Sequence, residues 1–445
     1  MKEQKIILQK VIDLIKKNKA TGDVIFDQGK SLSFKAHDGE LEKYEVSSSA
    51  VIGVRIIKNE RVGTSFSEAI DDDSLEIMVK QAIDYASFSK EDPHQKIICE
   101  KSEKHENNPA CNSKETIDAE QMIEMCLKLE SLPKKRDSRV KSSPYNGLSE
   151  GSSTWFYMNT NGAFRSESSR YFSATSSVLM QEEGKNTSFY EGSVKRNFSD
   201  LDIDHLVDES IFHASEFLKG EQVETGKYNI VFSPRTFSSF FGVFSNIFSA
   251  ESTIEGKNPL FEKLGEQIAH PELSLIDRPH FERGFNNQSF DSEGMETSDT
   301  ELIKNGQYCG LLQNSKTASE LKMKNTHNAA RSARGSLNVS FSNKVFNLGS
   351  TKEEEINQMD HLEIVEIQGL HSGANSISGE FSFPISGYLY RNGKKEKVVK
   401  GVTLSGNFFK ALNDITHVGD KLHSNSMGTV FMPKIVFSNL SIAGL

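Results

Sequence analysis

The chain has 445 residues, 36% hydrophobic and 26% charged, with a formal net charge of −10. This length supports two or three domains with a large buried core, and the negative balance opposes long-range attraction to nucleic acid. No run approaches the roughly 20 apolar residues of a membrane span, and the charged N-terminus has no signal-peptide core, so neither nucleic acid nor membrane is an expected partner.

The first residues read as an amphipathic helix, with Ile7, Val11, Leu14, Ile15 and Asn18 on one face. Strand-like runs follow at Val24–Phe26, Leu32–Phe34 and Val51–Ile57, separated by Gly29-Lys30, Asp38-Gly39 and Lys58-Asn59 turns. A second helix starts at Asp71-Asp72-Asp73-Ser74, where Asp73 can cap and Glu76 can reach back. The polar stretch from Lys101 to Glu115, containing Asn107-Asn108-Pro109, reads as a linker or excursion. A helix with Ile117, Met122, Met125, Cys126 and Leu129 inward comes next, then serine-rich strands with a strong hairpin turn at Asn161-Gly162. The helix from Asp202 to Leu218 ends at Lys219-Gly220, a natural boundary.

Beyond Gly226 the pattern is mostly β. Tyr228–Phe232 is a strand, Phe237, Phe240, Phe241, Phe244 and Phe248 form a helical aromatic stripe that reads as core, and hairpin-like strands fill Ser274–Val345. A glutamate-rich break at Lys352–Glu355 precedes the strand Leu362–Ile367, and strands near Val430 and Ile435 close the chain. The fold class expected is α+β: an N-terminal α+β domain over 1–100, a central α+β domain over 101–220, and a mainly-β C-terminal domain over 221–445 with glycine-rich motifs.

Chemistry-bearing motifs are scarce. Cysteines 99, 111, 126 and 309 form no Cys-x-x-Cys pair, which argues against a disulfide framework and a thiolate zinc site and for a reducing cytoplasm. There is no His-Glu-x-x-His. His205 and His213 are two helical turns apart, too far to chelate one ion, while His270, Asp277 and His280 flank prolines on loops, and His417 and His423 carry no ligand pattern. No Gly-x-Ser-x-Gly elbow is present, and His371 and Ser372 are adjacent on an extended segment, pointing apart. No catalytic residue, metal ligand or cofactor is assigned to the chain on these grounds.

The most distinctive segment is Gly373-Ala374-Asn375-Ser376-Ile377-Ser378-Gly379-Glu380-Phe381-Ser382. Its glycines allow positive φ and close backbone approach, which suits either a tight structural turn or pairing with an extended peptide. This segment resembles the signature of the TldD/PmbA family. Leu264-Gly265-Glu266, Ile276-Asp277-Arg278-Pro279, Ser289–Gly294, Asn305-Gly306, Asn325–Ala329, Gly401–Asn407 and Ser441–Gly444 follow the family's landmarks in order, and Gly53–Ile56 with Gly63-Thr64-Ser65 extend the likeness to the N-terminus.

The resemblance carries expectations. TldD-type chains bear His-Glu-x-x-x-His upstream of the Leu-Gly-Glu landmark and a late cysteine ligand. Counting back from Leu264 places that motif at about Gly242–Ile247, with Gly242, Val243 and Ile247 at the ligand positions, and His423–Gly428 offers no cysteine. The chain thus resembles the PmbA (TldE) branch. The function implied is a non-catalytic subunit of a zinc metallopeptidase complex that processes unfolded or leader peptides. A TldD-type partner would supply the zinc in a heterodimer, with a homodimer also open. Two alternatives stand beside it: an independent hydrolase using Asp277, His280 and His371, or a regulatory binding protein of the gyrase-modulator type. Asn375, Ser378, Gly379 and Phe381 are the candidate substrate-binding residues, and Gly379→Val is expected to abolish processing with the fold intact.

Overall fold

The computed structural model describes residues 1–106, 111–112 and 115–445; the expectation for Asn107-Asn108-Pro109 lies outside them. Helix α1 (Lys2–Lys17) buries Leu8, Val11, Ile12 and Ile15, one stripe at three- and four-residue spacing. Strands β1 (Thr21–His37), β2 (Glu40–Lys58) and β3 (Arg61–Ser67) form an antiparallel meander. The β1–β2 turn puts Asp38 and Gly39 at φ 50° and 80°, the conformation a tight hairpin demands. Helix α2 (Asp72–Phe88) is capped by Asp71, whose carboxylate accepts from the Ser74 N–H. The expected cap, Asp73, is instead in the first turn, where its charge faces the positive end of the helix dipole.

Within the polar stretch read as a linker, β4 (Glu103–Glu106) runs parallel to a later strand. Helix α3 (Ala119–Arg136) starts with a capping box between Asp118 and Gln121. Strands β5 (Val140–Ser142), β6 (Gly147–Asn159), β7 (Phe164–Glu182) and β8 (Lys185–Lys195) follow, with Asn161-Gly162 turning β6 into β7 as expected. Helix α4 (Ile203–Phe217) begins at its cap Asp202. All eight strands share one sheet in the order β3-β2-β1-β6-β7-β4, with β5 and β8 also on β7. The stretches 1–100 and 101–220 are therefore joined through the β1–β6 pairing. Helices α1 and α2 cover Val24, Phe26, Ile52, Val54 and Phe156 on one sheet face, and α3 and α4 cover Phe34, Leu148, Phe172 and Ala174 further along it.

The C-terminal part opens with β9 (Gly226–Phe232) and α5 (Pro234–Phe244), capped by Ser233 with Pro234 at the first helical position. Next come α6 (Ala250–Ile254), β10 (Leu275–Asp277), β11 (Thr300–Lys304), β12 (Gln307–Tyr308) and α7 (Ser315–Leu321). Strands β13 (Ala329–Ala330), β14 (Asn338–Val339) and β15 (Lys344–Phe346) are short, so the hairpins expected through Ser274–Val345 are mostly ordered loop. The glutamate-rich break is the first turn of α8 (Glu353–Gln358), where three carboxylates meet the helix dipole. Strands β16 (His361–Ile367), β17 (Glu380–Arg391) and β18 (Lys394–Asn407) precede α9 (Phe408–Asn413). Strands β19 (Ile415–Val418), β20 (His423–Ser424), β21 (Val430–Met432) and β22 (Ile435–Ala443) complete the chain.

These strands make two six-stranded sheets, β18-β17-β16-β9-β22-β19 and β12-β11-β10-β15-β21-β20, with β18 also pairing with β22, and a separate two-stranded sheet of β13 and β14. Helix α5 sits between them. Phe240 stacks on Phe232 at 4.7 Å and meets Phe381 edge-on at 5.0 Å, while Phe241 meets Phe346 at 5.4 Å. Phe237, Phe244 and Phe248 are equally buried, so the aromatic stripe is core as expected.

The two parts meet at a buried ionic seam. Arg55 Nε donates to Asp23 at 2.9 Å and its Nη2 to Glu293 at 3.3 Å, while Arg331 also donates to Asp23. All four side chains are essentially inaccessible to water. A buried charge is tolerable only when paired, so this seam fixes how β1 and β2 dock against the C-terminal loops. Among the described residues no helix is long and apolar enough to cross a membrane.

Candidate functional site

A cleft of about 750 Å³ opens where the two parts face each other. One wall is the edge of β8 and the polar face of α4; the other is the start of α5, strands β16 and β17, and the loops 282–285 and 424–428. On α4, His205, Glu209 and His213 recur every four residues on the cleft side, with Leu206 and Phe212 also at the cleft, while Ser210, Ala214 and Phe217 are buried away from it. Strand β8 pairs only with β7 among the described residues, which leaves its other edge toward the cleft.

Two contacts bracket that edge. Arg235, in the first turn of α5, donates to the Tyr190 carbonyl at 2.6 Å and lies 4.1 Å over the Tyr190 ring, with Glu191 beside it at 3.3 Å. At the other end the Val194 N–H donates to the Ser426 carbonyl at 3.4 Å. Gly192 lies between them and lines the cleft. The loop carrying Ser426 is ordered by Asn425, whose side-chain oxygen accepts from Thr429 and Val430 N–H groups at 2.9 and 3.1 Å. The Asn425 amide donates to Ser238 Oγ on α5 at 3.1 Å.

Deeper in the cleft, His213 Nδ1 and the Tyr388 hydroxyl are 2.7 Å apart, within a cluster of Phe189, Phe212 and Phe217. Burial, reinforced by the charges of Arg235 and Lys395, pushes His213 down to about 4, so the ring is neutral at physiological pH. Burial pushes Tyr388 upward as well, and Tyr390 rises to about 12 through burial and the neighbouring Glu363.

The glycine-rich segment is elsewhere. Asn375 Oδ1 accepts from the N–H groups of Ile377 and Ser378 at 2.9 and 3.0 Å, and the Gly379 N–H returns to the Asn375 carbonyl at 2.9 Å. Gly379, at φ 80°, accepts at its carbonyl from Phe408 N–H at 2.8 Å and so helps start α9. Phe381 is in the hydrophobic core against Phe240 and Phe244; Asn375 and Ser378 are exposed, and none of the four lines the cleft. A valine at Gly379 would press its Cβ to 2.6 Å from the Phe409 ring, so the expectation of an intact fold in Gly379→Val is corrected.

The other expected positions also find their places. Gly242 is exposed, Val243 half-buried and Ile247 buried, but the 424–428 loop reaches α5 at Ser238, one turn before Gly242. Asp277 is buried against Ser342 and Asn328 and pushed up to about 6 by burial, His280 bonds Thr297, and His371 is exposed on the glycine-rich loop. His423 pairs with Glu353, and His417 with Thr416. Sequence reasoning missed Arg235, Tyr388 and the loop residue Asn425; the four-residue repeat of His205, Glu209 and His213 was the available signal for a polar helix face.

The family models for the PmbA/TldA metallopeptidase domain 1, central domain and C-terminal domain match residues 22–86, 112–218 and 225–444. The chain belongs to the PmbA/TldD family. It is 23% identical to Metalloprotease PmbA of Escherichia coli O157:H7, over 93% of this chain and 91% of that protein. It is also 23% identical to the Metalloprotease PmbA homolog of Haemophilus influenzae, over 96% and 94%. TldE from Thermococcus kodakarensis superposes with a TM-score of 0.85 at 19% identity, covering 98% of this chain and all of that one.

Proposed function

We propose that the chain is a non-catalytic, PmbA/TldE-type subunit of a peptide-processing complex whose zinc is held by a TldD-type partner. The observation that carries this reading is the cleft itself: a strand edge that pairs with no further strand among the described residues, bracketed by Arg235 and Ser426 with the Gly192 N–H held only by the Glu191 side chain, in a chain of a metallopeptidase family. An extended peptide can add to such an edge through main-chain hydrogen bonds, which accept many sequences.

The donor set supports giving the metal to a partner. Where α5 meets the 424–428 loop, the groups present are the Ser238 hydroxyl and the Asn425 carboxamide. Zinc prefers imidazole, thiolate and carboxylate donors, so these residues do not fit it. The chain's own contribution is to hold and orient the peptide: Arg235 is fixed by its contacts to Tyr190 and Glu191, and neutral His213 with Tyr388 forms a polar spot in an aromatic floor.

The test is a cleavage assay on an unfolded peptide with this chain alone, a TldD-type partner alone, and the two mixed. Cleavage confined to the mixture is expected. Cleavage by this chain alone, with stoichiometric zinc in the purified protein, would overturn the reading.

A further inference from the structure

Strand β8 has a second cavity on its opposite face, about 630 Å³ in volume. The two cavities flank the strand. Phe189, Glu191 and Lys195 line the cleft toward α4, whereas Tyr190 lines the second cavity, and Gly192, Ser193, Val194, Arg235, Phe285 and Ser426 border both. The second cavity is walled by large apolar groups that face water: Tyr190 is 55% exposed, Met427 49% and Tyr171 37%. Phe285 closes it, edge-on to Tyr171 at 6.0 Å. The Tyr171 ring lies over Gly151, where an added Cβ would be 2.4 Å from it. Contiguous exposed aromatic surface in a concavity marks a ligand site, since scattered apolar side chains alone would not converge there.

An extended segment paired along β8 must send successive side chains to alternate faces. Its residues would therefore enter the two cavities in turn. The cleft side offers ionisable groups, including Glu209, His205 and Lys195; the other side offers rings and a thioether. We infer that the cavity of Tyr171, Tyr190, Phe285 and Met427 is a specificity subsite for a large apolar or aromatic side chain of the bound peptide. The inference rests on the peptide-cleft reading and extends it to the substrate's sequence: a bulky apolar residue flanked by polar neighbours at odd spacing. Arg235, stacked on Tyr190, closes the junction of the cavities and sets the register of the strand.

The test uses the full chain and two fluorescent octapeptides of glycine and serine, one with a central phenylalanine and one with serine there, read by anisotropy. The phenylalanine peptide should bind about tenfold tighter, the effect of partly burying one aromatic side chain. Met427→Ala should erase most of that preference while leaving serine-peptide binding unchanged, whereas Tyr190→Ala, which also removes the ring under Arg235, should erase the preference and weaken both peptides. Thermal melts identify any variant that fails to fold, and Met427, on an exposed loop, guards against that failure. Gly192→Pro should weaken both peptides, because it removes an outward main-chain N–H from the edge between the two brackets. Equal binding of the two peptides, still lost in Gly192→Pro, would overturn the subsite and leave the cleft reading standing. No binding of either peptide would overturn both.

Discussion

The loops at 373–382 and 424–428 are alike in composition, each built from asparagine, serine and glycine, and unlike in what they do. In the first, the Asn375 side-chain oxygen accepts from the Ser378 N–H, the Asn407 amide donates to the Ser378 carbonyl, the Ser378 hydroxyl accepts from the Glu380 N–H, and Phe381 anchors the loop in the core. In the second, Asn425 uses the same side-chain chemistry to tie the loop to α5, and the Ser426 carbonyl meets the edge of β8. A distinctive motif reports that the backbone there is constrained. Whether the constraint serves folding or binding depends on which groups remain turned toward a cavity.

The largest expected effect tests the anchor of the first loop. Phe240→Ala removes the ring on which Phe381, Phe232 and Phe408 pack, and should cost about 4 kcal/mol in urea unfolding. A loss under about 1 kcal/mol would mean that the core around the loop can collapse, and the loop would not be core-anchored as described. Next in size is Gly379→Val, which combines a positive φ with a close approach to Phe409 and should cost about 3 kcal/mol. Peptide processing should fall only as far as the folded fraction falls; a fully folded but inactive variant would place this loop in the site after all.

Much of the fold was legible because its signals are local. Turn dipeptides at Asp38-Gly39 and Asn161-Gly162 and the phenylalanine stripe of α5 each determine structure within a few residues. The α2 cap was misplaced by two positions because three adjacent aspartates can all serve, and only the extended backbone of Asp71 decides between them. The cleft was not legible. It is assembled from segments near 190, 205, 235, 284, 388 and 425, whose proximity is a product of sheet order and not of spacing. The glycine-rich loop drew attention because glycine and asparagine are required where a chain turns back on itself, a signal that reports a turn and not what the turn faces.

The cleft wall should show itself in pH dependence. His213 titrates near 4 when folded and near 6.5 when unfolded, so the folded state binds fewer protons between those values. Its stabilising contribution is present above about pH 6.5 and is lost as pH falls toward 4, to a total of about 3 kcal/mol. His213→Phe should flatten the stability profile in that window relative to the parent chain. An unchanged difference between pH 7 and pH 4.5 would show that His213 is solvated and that the aromatic floor is more open than the contacts with Tyr388 and Phe189 imply.

The smallest effect discriminates most finely between the two loops. Asn375→Ala and Asn425→Ala each delete a side-chain oxygen that accepts two backbone N–H groups, and each should cost about 1 kcal/mol. Their consequences for peptide binding should differ. Losing Asn425 frees Ser426 and the junction with Ser238, so the bracket on β8 loosens and the anisotropy signal should weaken several-fold. Losing Asn375 changes a loop whose neighbours are Asn407 and α9, and binding should be retained. If Asn375→Ala alone lost binding, the peptide would lie on the glycine-rich loop, and the cleft at β8 would be the structural feature of the pair.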